Sequence, residues 1–222
     1  MHLILLGLPG AGKGTQAKNI AARHGLLHIS SGDLFREAAA EGTELGKLAQ
    51  QYMSRGELVP DKVTIGLLLE RCAKPDAQAG FMLDGFPRTI AQAEALDEAV
   101  GEREAAVDAV LSIRVPEEEL VARLAGRWSC PGCGAIYHQL HNPPRRERVC
   151  DDCETELAQR EDDRPETVRQ RLEVNREWTE ALERYYERAG KLHAVDGTGE
   201  PSAVAERLFE VLAGVSAAAQ RV

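Results

Sequence analysis

The sequence predicts an α/β fold, a five-stranded parallel sheet with helices on both faces that carries two small insertions. Three observations predict it. Five short apolar runs recur along the 222 residues with helical segments between them, the alternation that builds a parallel sheet covered on both sides. The first run passes directly into a glycine-rich stretch, Gly7-Leu8-Pro9-Gly10-Ala11-Gly12-Lys13-Gly14-Thr15. From about Gly126 to Asp163, Cys, Pro, Gly and charge replace helical periodicity, which marks an insertion rather than a core element.

Each element has its own signal. Leu3-Ile4-Leu5-Leu6 is unbroken and apolar, as expected of a strand buried on both faces. A helix runs from about Lys13 to His24, with Gly25 as its stop. Leu26-Leu27-His28-Ile29 reads as the second strand, and Ser30-Ser31-Gly32-Asp33 as a turn and helix cap. Two helical stretches, Asp33 to Ala40 and Glu44 to Arg55, carry fewer large apolar residues than a core helix needs. Residues 30–59 are therefore expected to form a helical insertion above the sheet. Asp61 opens a more apolar helix that ends before Pro75. Gly80-Phe81-Met82-Leu83-Asp84 is a third strand ending in a carboxylate, Val107 to Val115 is a fourth, and Pro116 starts the next helix at a tolerated first-turn position. A long amphipathic helix from Pro165 to Ala189, a fifth strand at Leu192-His193-Ala194-Val195 and a helix from about Pro201 to Ala213 complete the chain, with Ala217 to Val222 expected to fray. The core is thus 1–29, 60–125 and 164–222, with insertions at 30–59 and 126–163.

The glycine-rich stretch points to phosphate. Its glycines let the backbone wrap closely with N–H groups aimed inward at an anion, and the helix N-terminus that follows favours negative charge. Lys13 reaches the β- and γ-phosphates from there. The general phosphate-loop pattern asks for Ser or Thr directly after the Lys to hold Mg²⁺, whereas here Gly14 intervenes and Thr15 supplies the hydroxyl. A net charge of −9 argues against a general nucleic-acid or anionic-membrane surface, so phosphate binding must come from local clusters. Arg supplies 21 of the 27 basic residues, so only an Arg placed by a motif counts as a phosphate ligand. No apolar run approaches the ~20 residues of a membrane span, and the first strand follows Met1 almost at once, so the expectation is a cytoplasmic protein without a leader.

Four of the five cysteines form two Cys-x-x-Cys pairs, Cys130-Pro131-Gly132-Cys133 and Cys150-Asp151-Asp152-Cys153, with sixteen residues between the inner two. In a reducing compartment this spacing is a strong tetrahedral Zn²⁺ signal, with disulfides or a redox pair as the weaker alternatives. Four protein ligands leave no open position, so the ion is expected to be structural. His138 and His141 are unnecessary for coordination and read as lid surface or packing. Cys72 reads as a buried small hydrophobe.

At the end of the third strand stands Asp84-Gly85-Phe86-Pro87-Arg88-Thr89, with Gln92 one helical turn further on. Together with the glycine loop, Ile29-Ser30-Ser31-Gly32-Asp33, the Arg160 to Arg171 segment and Val195-Asp196-Gly197-Thr198, it resembles the nucleoside monophosphate kinase family, specifically adenylate kinases of the bacterial type with a zinc-bearing lid. The resemblance runs through the whole chain and implies a sheet of P-loop kinase type, an NMP-binding insertion at 30–59 and a lid at 126–163. It implies transfer of the γ-phosphoryl of ATP to AMP, giving two ADP, with Mg²⁺ and one structural Zn²⁺, in a cytoplasmic monomer. On the donor side it assigns the loop from Gly10, Ala11, Gly12, Lys13 and Gly14 to Thr15 to the ATP phosphates and Asp84 to Mg²⁺. Ile136, Tyr137 and the backbone at Gly199 are assigned to ATP as well. On the acceptor side it assigns Arg36 and Arg88 to the AMP phosphate. Ser31, the backbone of Glu57, Leu58 and Val59, and Gly85, Phe86, Pro87 and Gln92 surround the adenine. Arg123, Arg127, Arg160 and Arg171 are assigned to the transferring group and its neighbours, with Arg123 and Arg127 expected on one helix face. Relatives usually carry Thr where this chain has Ser31, which keeps the hydroxyl and loses a methyl. A UMP or CMP kinase of the same fold is the nearest alternative, and a nucleotide-switched zinc-ribbon protein that binds nucleic acid is a remote one.

Overall fold

A computed structural model describes residues 1–219. Five strands, β1 (His2–Leu6), β2 (Leu27–Ser30), β3 (Phe81–Asp84), β4 (Ala109–Arg114) and β7 (Leu192–Asp196), form one parallel sheet in the order β2-β3-β1-β4-β7. Successive side chains of β1 serve opposite faces. Leu3 and Leu5 join one core with α1 (Lys13–His24), α6 (Glu117–Ala125) and α8 (Pro201–Ala219), through Ile20, Leu120, Leu124, Leu208 and Leu212. Ile4 and Leu6 join the other with α4 (Asp61–Cys72), α5 (Ile90–Gly101) and α7 (Pro165–Arg188), through Leu68, Leu96, Leu182 and Tyr186. This is why β1 reads as an unbroken apolar run rather than an alternating one. Cys72 is buried in the second core, and burial pushes its thiol up to about 11. The last helix is longer than its apolar spacing implied and continues to Ala219, while residues 220–222 of the expected frayed end lie outside the described residues.

The register sets the position of the chemistry. Asp84 ends β3 beside Leu5 of β1 and Ser30 of β2, so the glycine loop, the carboxylate and the start of α2 (Ser31–Ala40) meet at the carboxyl ends of adjacent strands. Ligands in open parallel sheets bind at that edge.

Two small pieces stand on this sheet. Between β2 and α4, α2 and α3 (Glu44–Met53) close on a core of Phe35, Ala49 and Val59. The helices touch because residue 46 is glycine: a Cβ there would lie 2.1–2.2 Å from backbone atoms of Ala38 and Ala39. Between α6 and α7, β5 (Arg127–Ser129) pairs antiparallel with β6 (Ile136–His138). Three-residue strands carry too little periodicity to be read from sequence. This module has a core of only Cys130, Tyr137, Cys150 and Leu157. Arg146 and Arg148 are exposed there, with Arg146 paired to Glu154 and Arg148 stacked on Trp128.

Gly46→Ala is expected to destabilise the α2–α3 pair, since overpacking a close backbone contact costs ~1–3 kcal/mol. Urea unfolding measures it; a midpoint equal to the parent's would show that the two helices separate without cost.

Candidate phosphoryl-transfer site

The glycine loop is shaped by backbone that side chains resist. Gly7, Gly10 and Gly12 have φ of 139°, 87° and 90°, and Gly12 stands at the N-cap of α1 with no side chain capping it. The first N–H groups of α1 therefore remain available to an anion. Gly14 packs against the carboxylate of Asp84: a Cβ there would lie 3.4 Å from Asp84 Oδ2. The residue that departs from the general pattern thus stands beside the acid. Thr15 is exposed on the first turn. Lys13 Nζ donates to the carbonyls of Gly7 at 2.7 Å and Leu8 at 3.0 Å. Burial pulls its ammonium down to about 8, helped by Arg88, Arg171 and Arg127 and opposed by Asp84.

Across the cleft, the Gly85 carbonyl accepts from Ser31 Oγ at 2.7 Å and Arg88 Nε at 2.8 Å. Gly85 has φ of 75°, and a Cβ would stand 2.8 Å from Ser31 Oγ. Arg36 donates to Asp33 at 2.5 Å. Phe86 is wholly buried in the core, and Pro87 follows it through a cis peptide bond. Val59 is buried beside Phe35, with Glu57 and Leu58 half-buried next to it. Gln92 is more occupied than its sequence position suggested: its Oε1 accepts from the Arg88 N–H and its Nε2 donates to Asp61, each at 2.8 Å. One N–H and one lone pair of the amide remain for a base. Asp61, which no motif singled out, also accepts from the Thr89 hydroxyl at 3.0 Å.

The arginines around the second insertion divide differently from the expectation. Arg123 lies on α6 and donates to Glu119 at 2.5 Å and to the Gly197 carbonyl at 3.0 Å. Arg127 does not share that helix face. Gly126 ends α6, its Cα pressed against the His138 ring where a Cβ would sit 2.3 Å from Nε2, and Arg127 opens β5. Arg127 grips Asp163 through two hydrogen bonds of 2.7 and 2.6 Å. Arg171 reaches the same carboxylate at 2.9 Å and Asp162 at 2.8 Å. Asp163 is wholly buried between them. The sequence pattern assigns these two aspartates no role, since their partners are arginines that folding brings to them.

Arg160 is the exception to this pairing: its Nε is buried without a hydrogen-bond partner among the described residues. Burial and the nearby Arg36 and Arg127 pull it down to about 9, and burial with Arg171 pulls Arg88 down to about 10, so both stay charged at neutral pH. Lys13, Arg36, Arg88, Arg127, Arg160 and Arg171 are thus mutually coupled cations, set against the carboxylates of Asp33, Asp84, Asp162 and Asp163. Six positive against four negative charges leave an excess that suits phosphate oxygens.

Ile136 and Tyr137 lie on β6, but the Tyr137 side chain turns into the cysteine module, so only its backbone is open to a nucleotide. Gly199 has φ of 88° and open space where a Cβ would point. The sulfurs of Cys130, Cys133, Cys150 and Cys153 all lie within 4.8 Å of one another. Tetrahedral ligation with Zn–S near 2.3 Å places sulfurs about 3.8 Å apart, so the four thiols fit the ion. Among the described residues no helix is long and apolar enough to cross a membrane.

A family model described as adenylate kinase matches residues 5–191. An adenylate kinase of Archaeoglobus fulgidus is 52% identical over 212 residues, covering 96% of this chain and 98% of the relative. An adenylate kinase of a Geobacillus species is 51% identical, covering 97% of this chain and all of the relative, and one of Staphylococcus aureus is also 51% identical, covering 96% and 99%. The glycine loop, the carboxylate at the end of β3 and the arginine cluster thus stand in a chain that matches these proteins from end to end, and the chain belongs to the adenylate kinase family.

Proposed function

We infer that the site moves the γ-phosphoryl group of ATP reversibly to AMP, giving two ADP. One observation supports this most directly: two sets of anion donors face one another. The glycine loop with Lys13 lies on one side and Arg36 with Arg88 on the other; Arg171 acts electrostatically on both, Arg127 on Lys13 and Arg36 on Arg160. Phosphoryl transfer asks for little covalent help, because its transition state spreads charge over phosphoryl oxygens; positioning and fixed positive charge supply the catalysis.

In this reading the N–H groups of Gly10 to Thr15 and Lys13 hold the ATP phosphates, and Arg123, Arg127 and the backbone at Ile136, Tyr137 and Gly199 complete the donor side. Arg36 and Arg88 hold the AMP phosphate. Ser31, Glu57 to Val59, Gly85 to Pro87 and Gln92 surround its base, whose N1 and N6 edge matches the remaining acceptor and donor of Gln92. Arg160 and Arg171 stand between the two nucleotides. Asp84 and the Thr15 hydroxyl offer the oxygen donors that would hold Mg²⁺, which when bound would supply positive charge to the nucleotide phosphates. The insertions at 30–59 and 126–163 close over the nucleotides and exclude water, which would otherwise accept the phosphoryl group. The four cysteines hold one structural Zn²⁺, without which a module with so small a core would not stay folded. The protein acts as a cytoplasmic monomer on ATP, AMP and ADP, without nucleic-acid or membrane partners, a reading its acidic net charge supports.

Turnover of Mg·ATP with AMP, UMP, CMP and GMP, followed as ADP formation, should show AMP as the preferred acceptor. Preference for UMP would sink the adenylate assignment, and no turnover with any acceptor the kinase reading. ATP phosphates should return the depressed Lys13 ammonium to full charge, so binding at pH 8.5 should take up roughly 0.7 proton, given a free-state value of about 8. Calorimetry in buffers of different ionisation enthalpy measures this uptake, and Lys13→Met should abolish most of it along with activity; equal uptake in that variant would remove Lys13 from the phosphate site. The purified protein should carry about one zinc per chain and melt at a lower temperature after chelation. A zinc-free preparation with unchanged melting would refute the structural ion.

A further inference from the structure

The Tyr137 side chain joins the cysteine cluster to the strand assigned to ATP. Its ring is buried in the module's core with Cys130, Cys150 and Leu157, opposite Trp128 across the β5–β6 pair. Its Oη accepts a hydrogen bond from the Asp151 N–H at 2.8 Å and lies 3.6 Å from Cys150 Sγ. The direction of the second contact follows from the first. An oxygen that already accepts from a backbone amide has its own proton free, and a metal-bound thiolate has none to give. We propose that the Tyr137 hydroxyl donates to the Cys150 thiolate, and so acts as a positioning residue that tightens metal retention and ties β6 to the zinc cluster. The proposal rests on the reading of the four cysteines as a zinc site.

Two features distinguish this contact from ordinary packing. Cys150 is one of the two buried ligands, where water cannot replace a lost donor, whereas Cys153, whose sulfur has Thr155 Oγ1 at 3.3 Å, is exposed. The ring itself packs among apolar side chains, so a phenylalanine would fill the same space and lose only the hydroxyl: its proton toward Cys150 and its acceptance from the Asp151 N–H. Hydrogen-bonded neighbours of metal ligands commonly set affinity by 10–100-fold. Because Tyr137 belongs to β6, loss of the metal also frees the strand whose backbone faces the nucleotide.

Tyr137→Phe in the full chain tests it. Competition with a colorimetric chelator should show zinc held about 10–100-fold more weakly than in the parent. In the cobalt-substituted protein the thiolate-to-metal charge-transfer band should move to lower energy, because the sulfur lone pairs lose a stabilising donor. An unmoved band overturns the proposal whatever happens to affinity, since lost packing alone would weaken zinc without touching the thiolate. Unchanged zinc affinity overturns it as well. Failure of the parent protein to bind zinc would instead sink the zinc reading on which the proposal stands, and the two failures are therefore distinct.

Discussion

Crowded positive charge is the constraint on which the rest of this structure depends. Lys13, Arg36, Arg88, Arg127, Arg160 and Arg171 act on one another inside a protein whose net charge is −9. Two like charges 4 Å apart repel by ~4 kcal/mol even at the effective dielectric of a protein surface, so such a cluster is held only by opposing charge and a firm scaffold. Asp162 and Asp163 supply the opposing charge where the two pieces of chain meet, with Asp163 bridging Arg127 of β5 to Arg171 of α7 and Asp162 pairing with Arg171. Neutralisation is incomplete: Arg160 keeps a buried N–H without a partner among the described residues, and Lys13 is pulled down to about 8. Phosphate oxygens answer both deficits.

The sheet supplies the scaffold. Parallel register brings Ser30, Asp84 and the end of β1 side by side, so three loops of distant sequence open on one edge. Glycines at 7, 10 and 12 then take backbone conformations that let the loop curl around an anion. The α-helix that follows is tied back by Gln16, whose side-chain amide donates to the Pro201 carbonyl at 2.8 Å. The phosphate loop, the nucleotide-binding edge and the loop after β7 are therefore one mechanical unit, while the two insertions have small cores of their own.

Those small cores separate rigidity from closure. The α2–α3 pair relies on a backbone contact at Gly46, and the cysteine module on four thiols around Tyr137 and Leu157. Neither buries enough apolar surface to be stable far from its support. Each contributes arginines to the charged cluster, Arg36 from α2 and Arg127 from β5. In the second module the Tyr137 hydroxyl, on β6, lies 3.6 Å from Cys150 Sγ.

Much of this was legible in the residues alone, and the reasons are local. The glycine loop, the two Cys-x-x-Cys pairs and the five apolar runs are short-range patterns, because phosphate wrapping, tetrahedral ligation and strand burial each impose spacing within a few residues. What lay beyond reach was every partnership made across the chain. Arg127 finds Asp163 36 residues away, and Gln92 finds Asp61 31 residues away. Nothing near either residue announces the other. The helix expected to carry both Arg123 and Arg127 stops at Gly126, where the His138 ring from β6 leaves no room for a side chain, a constraint only the folded second insertion creates. The sequence by itself determined which chemistry this protein carries, since that chemistry depends on residue types at fixed spacing. Tertiary structure alone decided which charges are paired and which are left for the ligand, since that balance depends on distances between elements the chain brings together only on folding.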